Sequence, residues 1–123
     1  MAKEQDDWAD QLRRAYAWFP KEVYCGAGWA PLIGDLCKNI QEFLNANEDY
    51  RRQFYVTQCK EKYGHLMFYA FPERHEIEQM IEEANARALC TCEVCGAPGN
   101  VGLESMEAGR NWVVVRCDRY KKG

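Results

Sequence analysis

Hydrophobic residues recur at helical spacing in three stretches of this chain, and each stretch predicts an amphipathic helix. The first covers residues 8–19; Asp6 or its neighbour can cap it, and Pro20 ends it. The second covers residues 32–44 and follows Pro31, which suits the first turn of a helix because the N–H that proline lacks is unpaired there. Its apolar face is wide, so this helix should lie deep in the fold.

The hydrophobic period changes after Tyr50, where aromatic and β-branched side chains replace the helical pattern. Residues 53–60 and residues 65–71 are each typical of a strand, and the short link at residues 61–64 contains a glycine. We therefore expect an antiparallel hairpin that Pro72 closes.

The third helical stretch covers residues 73–89 and has an acidic outer face. Its apolar residues recur from Ile77 to Ala88, which predicts the side that packs on the core. The glutamates of the opposite face are Glu73, Glu76, Glu78, Glu82 and Glu83. A solvated face is the simplest interpretation of these residues, and a docking face for a basic partner is the alternative.

The last segment, residues 90–123, holds five glycines, a proline and four of the seven cysteines. It contains one clear strand at residues 112–117 and a shorter one around residues 101–103 that can pair with it. The predicted fold class is α+β, in a single domain of 123 residues. Helices and the hairpin would occupy residues 1–89, and a zinc-ribbon-like subdomain would occupy residues 90–123.

Two cysteines in that segment, Cys92 and Cys95, stand in a C-x-x-C-G pattern. This spacing lets two thiolates grip one tetrahedral zinc ion from a tight turn, and the glycine that follows frees the backbone. Cys117 lies at the end of the valine strand, with 21 residues between it and Cys95. The layout is that of a zinc ribbon, so we expect zinc as a structural cofactor.

The fourth ligand is less clear, because Tyr120 stands where a second knuckle would place cysteine or histidine. Cys90, two residues before Cys92, can supply the missing thiolate and would close the site as a structural one. Weaker candidates are Asp118, His65 and His75. The alternative is a knuckle that has lost its metal.

Composition narrows the class of protein. With 47% hydrophobic and 28% charged residues the chain is typical of a globular protein. It has no apolar run of about 20 residues that would span a bilayer, and its charged N-terminus predicts no signal peptide, so we expect a cytoplasmic protein. An odd number of cysteines in that setting argues against a disulfide framework, and Cys25, Cys37 and Cys59 are best interpreted as buried thiols.

The net charge of −3 argues against a general binder of polyanions, but the hairpin region is locally basic. Residues 51–71 contain four basic residues and one acidic residue. The basic residues are Arg51, Arg52, Lys60 and Lys62. Interleaved with aromatic side chains, they suit a stacking platform for single-stranded nucleic acid. However, the order of residues does not match the RNP1 motif, and only one face of the hairpin can be exposed.

We expect no enzymatic activity. His75-Glu76 has no second histidine four residues on, so the zinc-protease motif is absent. The glycines at residues 26–34 lack the spacing and the lysine of a phosphate-binding loop.

Several segments resemble a widespread group of small proteins from phages and bacterial genomes. Members share an early G-x-G-W helix start, a KEKFG-x-LRFY hairpin, an acidic helix and a CEVCGAPG ribbon. Here the matching positions are residues 26–29, residues 60–69, residues 92–99 and residues 116–118, within a match over residues 22–120. Tyr120 and the extra Cys90 depart from the pattern and together resemble a ligand swap.

The resemblance implies a phage or prophage accessory protein that works in the host cytoplasm, and it brings no activity with it. A small, mildly acidic domain stabilised by a metal ion is typical of a protein that acts by blocking a site on its partner. We therefore expect a host protein or protein complex as the partner, and a CRISPR or other anti-phage defence complex is one option. A nucleic-acid-binding regulator is the alternative.

Overall fold

The computed structural model describes the backbone of residues 3–105 and 111–116 and the side chains of residues 8–99. Within them the chain forms four α-helices and two sheets, so the predicted α+β class is confirmed. The helices are α1 (Lys3–Ala15), α2 (Ala30–Asn45), α3 (Glu48–Gln53) and α4 (His75–Ala88). The strands are β1 (Glu22–Tyr24), β2 (Tyr55–Lys62), β3 (His65–Phe71), β4 (Asn100–Ser105) and β5 (Asn111–Arg116).

The first helix departs from the prediction at both ends. It begins at Lys3, so Asp6 lies inside α1 and does not cap it. It ends at Ala15, and the chain then turns through residues 16–19, where the backbone N–H of Phe19 donates to the carbonyl of Tyr16 (3.0 Å). This turn buries Phe19 in the core without continuing the helix.

The predicted hairpin is confirmed, with a tighter turn. Strands β2 and β3 are joined by Tyr63 and Gly64 alone, both at positive φ (53° and 83°), which is the backbone of a type I′ turn. The strand β2 starts at Tyr55 because the residues before Phe54 form α3, which the sequence pattern did not predict.

The larger sheet has the order β1-β2-β3, with β1 parallel and β3 antiparallel to β2. Helices α2 and α4 pack on one side of it, against side chains such as Val56, Cys59, Leu66 and Phe68. No described helix packs on the other side, which we call the open side. Because side chains alternate across a strand, the open side carries residues such as Tyr55, Lys60 and Tyr69.

Strands β4 and β5 pair antiparallel, from Asn100 opposite Arg116 to Ser105 opposite Asn111, as the valine strand predicted. None of the helices in the described part of the chain is long and apolar enough to cross a membrane.

Candidate metal turn and binding surfaces

The C-x-x-C-G segment forms the tight turn that its spacing predicts. The N–H of Gly96 donates to the carbonyl of Cys92 (2.9 Å), and the N–H of Cys92 donates to the carbonyl of Ala97 (2.7 Å). Gly96 has a φ of 83°, which explains why glycine follows the second cysteine. Cys92 is buried and Cys95 is exposed. We call residues 90–99 the cysteine turn.

Three other candidate ligands, Cys90, His65 and His75, lie among the described residues. The thiol of Cys90 donates to the carbonyl of Ala86 in the last turn of α4 (3.4 Å). His65 lies at the hairpin turn against Asn85, and His75 is the first residue of α4. Cys117, Asp118 and Tyr120 lie outside the described residues. Across the side chains that the structure describes, no group of three or more potential ligands comes together to hold a metal ion.

The cysteine turn is docked on a second motif, residues 26–29, which we call the glycine loop. The N–H of Gly28 donates to the carbonyl of Glu93 (2.8 Å). A Cβ atom at Gly28 would lie 2.6 Å from both the Gly96 nitrogen and the Glu93 carbonyl carbon, and closer still to the Cys92 oxygen. A Cβ atom at Gly26 would meet the Glu93 backbone in the same way. The two backbones can approach this closely only because both positions are glycine.

A buried tryptophan completes this contact. Trp29 has no exposed surface, and its indole N–H donates to the carbonyl of Thr91 (2.9 Å). The G-x-G-W and C-x-x-C-G motifs, far apart in sequence, are therefore two halves of one interface. The cysteine turn is held against the glycine loop by the backbone hydrogen bond from Gly28 to Glu93 and by the indole hydrogen bond from Trp29 to Thr91.

Helix α4 begins two residues later than predicted, so Glu73 precedes it, whereas Glu76, Glu78, Glu82 and Glu83 lie on it. All five glutamates are exposed. Glu76 forms an ion pair with Arg74 (3.4 Å). Among the described residues the other four glutamates make no ion pair. The acidic face therefore carries charge that nothing in the described part of the chain compensates.

These glutamates line two grooves, one on each side of α4. The β3–α4 groove, of about 260 Å³, is lined by three of these glutamates, Glu73, Glu78 and Glu82, and by apolar residues that include Phe71 and Ile81. The α2–α4 groove, of about 570 Å³, is likewise lined by both acidic and apolar residues. Its lining residues are Asn39, Glu42, Phe43, Glu76, Gln79, Met80 and Glu83. Each groove thus combines negative charge with apolar surface.

The four basic residues of the nucleic-acid alternative are divided between two elements. Arg51 and Arg52 lie on α3 and form ion pairs with Glu48 (3.7 and 3.1 Å), so the helix partly neutralises them. Lys60 and Lys62 lie on β2, where their ammonium groups sit over aromatic rings, 5.8 and 6.0 Å from the ring centroids.

The open side of the sheet exposes more aromatic surface than the sequence pattern indicated. Tyr24 and Tyr55 are 61% and 52% exposed, and the Tyr55 ring stacks on Phe71 with a centroid distance of 5.6 Å. Phe54 and Phe68 are in the core, as expected for part of this aromatic set. The signal that sequence reasoning missed is Tyr24, which is on the unpredicted strand β1.

Outside the cysteine turn, Cys37 and Cys59 are buried, as predicted, whereas Cys25 is only half-buried. Burial raises the pKa of Cys37 to about 12. The pKa of Cys59 is raised well above its ordinary value, first by a hydrogen bond with the Cys25 thiol and then by burial. Cys37 and Cys59 therefore stay protonated at neutral pH, which is the opposite of what a nucleophilic cysteine requires.

No protein-family model, curated protein or solved structure matches this chain.

Proposed function

We propose that this protein acts by binding another protein, and that it does so through the acidic face of α4. The observation that carries the proposal is the pair of grooves beside α4, each lined by both glutamates and apolar side chains. Complementary charge raises the rate of encounter and sets orientation, whereas burial of apolar surface supplies most of the affinity. A basic surface with projecting apolar side chains fits both requirements.

The resemblance to phage and prophage proteins indicates where to look for the partner. A small accessory protein without catalytic machinery would act by occluding a site on a host complex. CRISPR and other anti-phage defence complexes expose basic grooves that bind nucleic acid, because phosphate recognition requires lysine and arginine. We therefore propose them as the first class of target.

A pair of matched variants tests this surface. Glu78→Gln with Glu82→Gln removes two charges from α4, and Glu48→Gln with Asp49→Asn removes two charges from α3. Tagged proteins are used to capture partners from host lysate at low and at physiological salt. Wild type and the α3 variant should retain one stoichiometric partner that the α4 variant loses. Equal capture by the α4 variant would remove α4 from the interface.

We further propose that a structural zinc ion is held by Cys92, Cys95 and Cys117, with Cys90 as the fourth ligand. The tight turn around the first two cysteines suits a zinc knuckle. Cys90 would have to rotate its thiol away from the Ala86 carbonyl to reach the same ion. When bound, zinc would stabilise the fold, because metal affinity of this kind is folding energy.

Metal content by elemental analysis tests that proposal. Wild type should carry one zinc ion per chain, and Cys92→Ser and Cys117→Ser should lose it. Cys90→Ser decides the fourth ligand: loss of zinc supports the thiolate, and full retention assigns the position to another residue.

Single-stranded nucleic acid is a second candidate ligand, and a specific observation favours it. Tyr24 and Tyr55 are exposed on the open side of the sheet, where Lys60 and Lys62 also lie. Exposed rings beside cations are how non-specific single-strand binders hold bases. Binding of single-stranded nucleic acid is tested by fluorescence anisotropy with a 12-nucleotide oligonucleotide at two salt concentrations, for wild type and for the variant Tyr55→Ala. No binding at low salt would exclude it.

A further inference from the structure

Among the described strands, β3 lies at an edge of the larger sheet, with β2 as its one neighbour. Backbone groups on its outer side alternate along the strand. One of them is already used: the N–H of Leu66 donates to the side-chain oxygen of Asn85 on α4 (2.9 Å). By alternation, the N–H and C=O groups of Phe68 and Ala70 point in the same direction as those of Leu66.

Beyond Asn85 the outer edge of β3 opens into the β3–α4 groove, which residues 68–71 line. Among the described residues, no hydrogen bond reaches the outward backbone groups of Phe68 and Ala70. An edge of this kind is a template for one further strand. At about 3.3 Å per residue, residues 68–71 offer about 10 Å of edge, which matches three to four residues of an added strand.

We propose that an extended basic segment of the partner adds to β3 as a fourth strand of the sheet. This inference rests on the proposed function, because it names how a protein partner binds at the same helix. Main-chain hydrogen bonds to Phe68 and Ala70 would supply affinity, as in other cases of strand addition.

The surroundings of the groove define the sequence of that segment. Alternate side chains of an added strand point to opposite sides of the sheet. On the side of α4 they meet Glu78, Glu82 and the apolar Ile81, so lysine or arginine suits those positions. On the open side they lie beside Tyr69 and Phe71, so β-branched residues suit the positions between. The expected segment alternates basic and apolar residues.

Synthetic peptides provide the test, with binding to isotope-labelled full-length protein followed by NMR. The probe is acetyl-Lys-Val-Lys-Val-Lys-Val-amide, and its Glu-Val counterpart is the charge control. The Lys-Val peptide should bind at least tenfold more tightly than the Glu-Val peptide. On binding, the amides of Phe68 and Ala70 should shift and exchange more slowly with solvent. The variant Glu78→Gln/Glu82→Gln should bind the Lys-Val peptide at least tenfold more weakly than the α3 variant does.

Two N-methylated forms of the Lys-Val peptide separate strand addition from simple charge attraction. One form is methylated on every lysine amide and the other on every valine amide. In an added strand only one of these sets faces β3, so one form should lose at least tenfold in affinity and the other should keep it. Equal affinities for the two forms, or no binding of the parent peptide, would overturn strand addition. The proposed function would still stand if the α4 variant lost the captured partner.

Discussion

The contact between the glycine loop and the cysteine turn predicts a large effect from a single methyl group. In Gly28→Ala, the added Cβ would lie 2.6 Å from the Gly96 nitrogen and from the Glu93 carbonyl carbon. These are backbone atoms, so no side chain can rotate to relieve the overlap. The two segments have to separate, and the hydrogen bond from Gly28 to Glu93 is then stretched or broken.

The cost has two parts. Overpacking of a tightly packed site costs about 1–3 kcal/mol. Leaving a buried donor and acceptor without partners costs about 1–3 kcal/mol. We therefore expect Gly28→Ala to lower the free energy of unfolding by about 2–6 kcal/mol.

Gly34→Ala is the matched control, because Gly34 lies inside α2 and a Cβ there meets no atom within 4 Å. Alanine is favoured over glycine in a helix interior by about 0.5–1 kcal/mol, so this variant should be more stable than wild type. Urea unfolding followed by tryptophan fluorescence measures both. Two results would refute the contact between the glycine loop and the cysteine turn. One is a urea midpoint for Gly28→Ala equal to that of wild type, and the other is a shift of the midpoint in the same direction for both alanine variants.

Three further predictions concern the core and the metal. Trp29→Phe removes the N–H that bonds to the Thr91 carbonyl and should lower the free energy of unfolding by about 1–3 kcal/mol in urea; a change below about 0.5 kcal/mol would contradict this. The pKa of Cys37 is about 12 in the folded protein against an ordinary value of 9.0. Its contribution to stability is therefore complete below pH 9 and is lost at about 1.4 kcal/mol per pH unit between pH 9 and 12. In that window Cys37→Ala should show a shallower fall of stability with pH, and a slope equal to that of wild type would argue against the buried thiol. If zinc is bound, its removal by a chelator should expose the Gly28 amide to hydrogen exchange. Cys95→Ser should show the same exposure without a chelator. Unchanged protection of this amide in both experiments would mean that zinc does not stabilise the cysteine turn against the glycine loop.

The sequence predicted the parts of the fold that have strong local periodicity. The apolar stripes of α2 and α4 and the alternation in β2 and β3 each depend on residues within one element. Strand β1 and helix α3 were not predictable in this way. Strand β1 has three residues, and its partners, residues 58–60, lie more than 30 residues later in the chain. Helix α3 has six residues, too few to show a periodic stripe.

The candidate sites follow the same rule. The turn at Cys92 and Cys95 was predictable because its geometry is local. Its docking on Trp29 was not, since the two bonded groups are 62 residues apart. The exposure of the acidic face was predictable from composition and period. The two grooves were not, because each depends on a neighbouring element, β3 or α2, that the pattern of α4 does not contain.

Site-specific photo-crosslinking identifies the surface through which the protein contacts its partner. A photoreactive phenylalanine analogue is placed at Glu73, which is exposed and lines the β3–α4 groove, and in a separate protein at Tyr55, which is exposed on the open side of the sheet. After irradiation in host cells, we expect one protein adduct from position 73 that the variant Glu78→Gln/Glu82→Gln loses. An adduct formed only from position 55 would contradict it and would assign binding to the open side of the sheet.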